Sequence, residues 1–344
     1  MDVIKNPALA GESLASSGGA RRTVLRAMAA SAIYAATGGA ARASSAYPDR
    51  PIRLIVPFSA GGATDILGRL IGREIEPVLA QTIVVENRPG AAGAIGAGAV
   101  AKAAPDGYSV LLGGVGTNIV LALTLPSLAY DPEADLLPVA YLCNVDYVLT
   151  VAANSPYKTL QDLLDAAGKK PGAVSYMSTG QRGPLHVAME YLSKRAGVSM
   201  VHVPYKGESP ALPDLMSGRI DVAVMTVPFT KPRVADGSLR VLATISAQRA
   251  AAMPDVPTVA ELGFDGYAVP IWNGFFVPRH TPDTVIDTLN RASRKILDDP
   301  AVRQRMIDLG VTPTGGTPAD YASFLAKERK RWTLMIDETG VLNN

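Results

Sequence analysis

Two stretches of this 344-residue chain combine the residue types from which small anion sites are built. In the first, Phe58-Ser59-Ala60-Gly61-Gly62-Ala63-Thr64-Asp65, an apolar run ends in a glycine pair and a helix-like pattern begins at once. The second is Ser178-Thr179-Gly180-Gln181-Arg182-Gly183-Pro184-Leu185-His186. Glycine lets backbone amides approach a ligand with no side chain in between. The start of a helix adds unpaired N–H donors and about half a positive charge. Together these make a seat for an anion.

Other chemistries find no footing. No Gly-Lys-Ser/Thr follows the first loop, and neither it nor the clusters GAAGAIGAGA (90–99) and GGVGTN (113–118) has the Gly-x-Gly-x-x-Gly spacing. No nucleotide and no other cofactor is expected. A Gly-x-Ser-x-Gly elbow is absent, and His186, His202 and His280 form neither a His-Glu-x-x-His nor a pair spaced for one metal, so no metal site is expected. Asp65 falls in the first turn of a helix, where a carboxylate suits the dipole; capping and ligand contact are both open to it. His186 opens the helix after the second loop, where packing loop to helix is favoured over touching ligand. His202 alternates with Val201 and Val203, which marks a structural role in a strand. Cys143, the single cysteine, sits in an apolar run and reads as core.

Bulk composition describes an ordinary soluble globular protein and not a disordered one. Hydrophobic residues make up 48% and charged residues 19%. The formal charge is +2; without residues 1–46, which hold five basic and two acidic residues, it becomes −1. That balance gives no footprint for nucleic acid or an anionic membrane. Arg21-Arg22, a mild apolar stretch (27–41) and small residues up to Ala43 or Ala46 have the form of a twin-arginine export signal, removed on maturation. The apolar stretch is too short for a membrane span, so the mature protein is not expected to be embedded.

The elements that must position the two loops are legible as an alternation. A strand at 52–58 precedes the helix pattern of Leu67, Leu70, Ile71, Glu74 and Val78; a strand at 81–90 and an alanine-rich helix follow, the helix halted by Pro105 and Gly107. YSVLLGG and VLTVAA are further strands, and TLQDLLDAAGKKPG a helix. From Ala173 to Ser246 the pattern reads strand, helix, strand, helix, strand, strand. This predicts an α/β protein with mainly parallel or mixed sheets. Residues 54–76 and 174–196 share one plan of strand, glycine loop and helix, and in parallel sheets such loops lie at the carboxyl ends of strands, where ligands bind. Near the C-terminus, Val285, Ile286, Leu289, Ala292 and Ile296 mark a helix that packs back on the N-terminal part.

Several blocks resemble one family: YPDRPIRLIVPFSAGGATD (47–65), VVENRPGAAGAIGA (84–97), AAPDGYSVLLG (103–113), HVPYKG (202–207), PDVPTVAELGF (254–264) and Trp272-Asn273-Gly274-Phe275. Their order and spacing are similar to the solute-binding proteins of tripartite tricarboxylate transporters, the Bug family. The resemblance implies a two-domain periplasmic binding protein, type II-like, with a ligand cleft between domains at 47–143 plus 258–344 and at 144–257. It implies capture of a small organic acid and delivery to membrane permease subunits, with no catalysis and a monomeric receptor. Carried over residue by residue, the first loop supplies Phe58, Ser59, Ala60, Gly61, Gly62, Thr64 and Asp65. A third region supplies Thr117. The second loop supplies Ser178, Thr179, Gly180, Gln181, Arg182 and His186.

Departures from the family bear on the ligand. Arg182 stands where glycine is frequent, and Gly183 where a hydroxyl is; Arg182 either pairs with a ligand carboxylate or faces solvent. Asn118 stands where many relatives carry histidine. Met225 and Thr226 occupy a region that often holds aspartate, which favours plain acids over amino acids. Trp272 is either a wall of the cleft or core. Two other functions are compatible with these residues: a sensory receptor of the same fold, or an exported α/β enzyme, against which the missing nucleophile and metal constellations argue.

Overall fold

The computed structural model describes residues 47–125, 127–340 and 342. The expected export signal lies outside them. From Pro48 onward the chain forms one compact unit. Its elements run β1 (Ile52–Val56), α1 (Ala63–Leu79), β2 (Ile83–Asn87), α2 (Ala94–Ala101), β3 (Ser109–Gly114), a π-helical turn (Gly116–Val120) continuing into α3 (Leu121–Thr124), β4 (Leu136–Val145) and β5 (Tyr147–Ala152). Then come α4 (Leu160–Lys169), β6 (Ser175–Ser178), α5 (Pro184–Ala196), β7 (Val201–Pro204), α6 (Glu208–Met216), β8 (Val222–Thr226), α7 (Val227–Ala235) and β9 (Leu239–Thr244). The chain closes with β10 (Ile271–Pro278), α8 (Asp283–Leu297), α9 (Pro300–Asp308), β11 (Val311–Pro313) and α10 (Pro318–Thr339).

The strands form two sheets, in the orders β11-β4-β10-β3-β1-β2 and β7-β6-β8-β5-β9. The chain passes from the first to the second at Asp146, between β4 and β5, and returns after β9 to enter the first sheet as β10. The α/β class with helix-flanked sheets is as the sequence predicts. Of the two sheet types expected, the sheets are of the mixed one. β1 pairs in parallel with β2 and β3, and β6 with β7 and β8. β5 runs against both its neighbours, as does β10. These two are the strands on which the chain changes sheet, and hydrophobic alternation carries no information on the direction of such a strand.

A second difference lies between β8 and β9, read from sequence as consecutive strands. Helix α7 intervenes, its periodicity hidden by Pro228 and Pro232 in VPFTKPRVA. Pro228 stands in the first turn, where a missing N–H costs nothing.

Central strands are buried on both faces and largely apolar: every residue of β8 is buried, and all but the first of β10. One apolar core runs beneath both sheets, containing Ile55 and Leu111 from the first, Val151 and Tyr176 from the second, and Trp332, Met335 and Ile336 from α10. Trp272 is fully buried, edge-on to Tyr321 and Phe324, and is core. Cys143 is likewise buried, and burial pushes its thiol pKa up. Helix α8 lays the predicted Val285, Ile286, Leu289, Ala292 and Ile296 inward, and Asn290 on the same face donates to the Val139 carbonyl of β4 at 2.8 Å.

Candidate functional site

The first loop leaves the carboxyl end of β1 and enters α1. Gly61 has φ +79, a left-handed conformation that glycine adopts without steric cost. Gly62 is the extended N-cap, and no side chain caps the helix. By contrast Thr159, Asp299 and Thr317 cap α4, α9 and α10 with their own oxygens. The loop is held from below by Asp65, which is 2% exposed. Its Oδ2 accepts the Gly61 N–H at 2.8 Å and the Arg69 guanidinium at 3.0 Å, and its Oδ1 accepts the Asn87 amide at 2.9 Å. Asn87, at the end of β2, also donates to the Phe58 carbonyl at 3.0 Å. Burial by itself raises the Asp65 pKa, but the hydrogen bonds from Arg69, Gly61 and Asn87 and the Arg69 charge outweigh it and hold the carboxyl below its usual value.

The second loop repeats this plan at the end of β6. Arg182 has φ +58, Gly183 is the extended N-cap of α5, and again no side chain caps the helix. Pro184 takes the first helical position, where its missing N–H and fixed φ are tolerated. Four residues after the left-handed position, as Asp65 follows Gly61, stands His186, whose Nδ1 accepts the Arg182 N–H at 2.9 Å. His186 is 6% exposed and stacks on His202 of β7, ring centroids 3.8 Å apart at 11°. His202 Nε2 lies 2.7 Å from Ser178 Oγ, and that hydroxyl donates to the Gly180 carbonyl at 3.0 Å. Burial lowers both imidazole pKa values to about 4; for His186 the charges of His202 and Arg182 act in the same direction.

A third segment joins the two loops. An added Cβ on Gly93 would stand 2.7 Å from Thr117 Cγ2 and 3.4 Å from Phe58 Cζ, so glycine is required for that approach. One on Gly116 would meet Pro184 Cγ at 3.7 Å. Thr124 Oγ1, 2.8 Å from the Val120 carbonyl, is also 3.3 Å from the Arg182 carbonyl. The π-helical turn at 116–120 therefore lies between the loops, and such turns concentrate at functional sites. A cavity of about 240 Å³ lined by Leu123, Thr124, Leu125, Arg182 and Leu342 adjoins the second loop. Among the described residues no cluster of three or more His, Cys, Asp or Glu is placed to hold a metal ion.

The sequence matches the family described as tripartite tricarboxylate transporter family receptor over residues 67–341. The protein BugT of Bordetella pertussis is 36% identical over 318 residues, covering 92% of this chain and 98% of BugT. The chain belongs to the tripartite tricarboxylate transporter receptor family. Two solved structures share the fold: an R. palustris protein with adipate (32% identity, TM-score 0.80, 86% of this chain and 98% of that one) and MatC from Rhodopseudomonas palustris with bound malate (32%, TM-score 0.76, 84% and 100%). The family is one of periplasmic solute-binding receptors and not of enzymes.

Within this receptor the residues expected at the site divide into two sets. Phe58, Ser59, Ala60, Gly61, Gly62, Thr179 and Gln181 are exposed, and Thr64, Gly180 and Arg182 are half-buried. Asp65, Thr117, Ser178 and His186 are buried; Asp65, Ser178 and His186 are bonded to the loops themselves, and Thr117 to its own segment. Thr117 accepts the Gly114 N–H at 3.1 Å through Oγ1 and lies 2.8 Å from Asn118 Oδ1. Sequence reading missed Asn87, Arg69 and Thr124. Asn87 had a signal, since it ends a strand beside β1; Thr124 had none, because its role depends on a loop 58 residues away.

Proposed function

We propose that this protein is a periplasmic receptor that captures a small organic carboxylate in the cleft between its two sheets and hands it to the permease of a tripartite tricarboxylate transporter. The observation that carries the reading is the pair of matching glycine loops. Each has a left-handed residue, an extended glycine N-cap, a helix start free of side-chain caps, and a buried group that fixes the loop from beneath. Uncapped helix starts offer N–H donors to a carboxylate, while Thr64, Thr179 and Gln181 stand where they can orient it. Adipate and malate in the two solved relatives support small acids as the ligand class. The parts 47–143 plus 258–344 and 144–257 are proposed as the two closing lobes. A ligand that bridges both favours the closed form by its differential affinity. Export through the twin-arginine route and a monomeric receptor complete the proposal.

The test is a thermal-shift panel of mono-, di- and tricarboxylates on the mature protein, preceded by native mass spectrometry for a co-purified acid. The expected result is a saturable rise in melting temperature with at least one acid. A response to a nucleotide, sugar or amine, with none to any acid, would overturn the ligand class.

A further inference from the structure

The two loops are fixed by acceptors that a proton reaches at different pH, a carboxylate in the first and an imidazole in the second. His186 accepts the Arg182 amide only while Nδ1 carries no proton. Ser178 defines the state of the other ring: its single proton goes to the Gly180 carbonyl, so its oxygen takes the Nε2 proton of His202. The rings are face to face at 3.8 Å, so a charge on either is set against its partner in a largely dry site. A proton on His186 Nδ1 would also oppose two donors across 2.9 Å.

Few charges face this pair. From the loop comes Arg182, which disfavours a further cation. From α5 itself comes Glu190, and from β6 Tyr176. Glu190 Oε1 is 3.9 Å from His186 Nε2, beyond hydrogen-bond reach, and it accepts the Tyr176 hydroxyl instead. Among the described residues no carboxylate is hydrogen-bonded to either imidazole to favour its charged form. Burial acts the other way on both rings and lowers their pKa values to about 4.

Resting on the receptor reading above, we propose that His186 and His202 are the positioning residues of the second loop, holding it in its ligand-accepting form only while both rings are neutral, so that acidification releases the bound acid by undoing the second loop and leaving the first intact. Once the loop opens, the imidazoles meet water and regain a pKa of about 6.5. Proton uptake and opening then drive each other, and the apparent midpoint falls between about 4 and about 6.5. The first loop has no such response, because the Asp65 carboxyl is held ionised below its usual range.

The experiment has two arms. In the ligand-free protein, the amide NMR resonances of Arg182 and Gly61 are followed from about pH 7.5 to about pH 4.5 together with the imidazole signals. The expected result is an Arg182 resonance that moves with the His186 ring while Gly61 stays in place. Imidazoles that titrate with the Arg182 amide unmoved would overturn the proposal. In the second arm, adipate and malate are titrated calorimetrically over the same range into wild type and His186→Gln, whose amide oxygen supplies an acceptor that does not titrate. Wild-type affinity is expected to fall about tenfold more than that of the variant, the variant recording the acid's own protonation. Equal losses in both proteins would sink the idea. If neither acid binds at about pH 7.5, the carboxylate panel above decides the ligand class, and the amide titration, which needs neither ligand nor variant, still decides the loop mechanism.

Discussion

The two glycine loops have the same backbone and different chemistry beneath it. In both, a left-handed residue precedes an extended glycine N-cap, and a side chain four residues on reaches back to the left-handed residue's N–H. In the first loop the left-handed residue is glycine and the anchor is a carboxylate, assisted by Arg69 and by Asn87 from the neighbouring strand. In the second the left-handed residue is Arg182 and the anchor is a neutral imidazole, assisted by His202 from the neighbouring strand. The backbone geometry is what places amides around a small anion, and more than one acceptor can impose it. What differs is the condition under which each anchor works. A buried carboxylate paired with an arginine stays an acceptor over the whole physiological range, and a buried imidazole stays one only while neutral.

The largest expected effect of this difference is acid sensitivity. The folded protein keeps His186 neutral down to about pH 4, whereas the unfolded chain protonates it near 6.5. Between those values the unfolded state binds more protons, so stability is full above about pH 6.5 and falls as the pH drops toward 4. One such imidazole removes about 3 kcal/mol by the lower end. Urea unfolding at about pH 7.5 and about pH 4.5 should therefore show a steeper loss in wild type than in His186→Gln. Asp65 has the same sign in a lower window: its lowered pKa contributes stability present above the unfolded carboxyl value and lost only below it. Parallel stability curves for wild type and variant would mean that His186 is not the acid-sensitive anchor.

Removing the first anchor comes next. Asp65→Ala leaves the Gly61 N–H, the Asn87 amide and the Arg69 guanidinium without their acceptor. The Arg69 side chain is 53% exposed and recovers its loss in water, so its share is small. The two amides set the cost, about 2 kcal/mol in urea unfolding. Asp65→Asn keeps one oxygen acceptor and should lose about half as much. A neutral Asp65→Ala would show that Gly61 is held by its own conformation, and the likeness of the two loops would then end at the backbone.

Much of this was legible in the residues. Strand, glycine loop and helix at 54–76 and 174–196 announce the repeated plan, because glycines and helix starts leave local marks in sequence. The positioning of Asp65 and His186 three residues into each helix was visible too, but not that both point back to an amide, since that follows from the loop's positive φ. Illegible altogether were β10 as a strand returning against β3 and β4, the helix behind Pro228 and Pro232, and the link from Thr124 to Arg182. Each of these depends on contacts between distant segments, for which a local pattern has no signal.

The smallest effects test the left-handed residue itself. Nothing lies within 4 Å of a Cβ built on Gly61, so Gly61→Ala isolates the cost of placing a side chain at φ +79. That cost is about 1 kcal/mol. Arg182→Gly is the reverse change at φ +58. Relief of the backbone is partly offset by the greater freedom of glycine in the unfolded chain, leaving a gain of about 0.5 kcal/mol. The pair should thus move urea midpoints in opposite directions. The same Arg182→Gly protein also separates two uses of arginine at this position, because stability and ligand response are independent readings. If the side chain grips the ligand, the acid-induced thermal shift shrinks while the ligand-free protein becomes more stable. If the side chain faces solvent, stability rises and the shift is unchanged, and the second loop then recognises its acid through backbone amides as the first does.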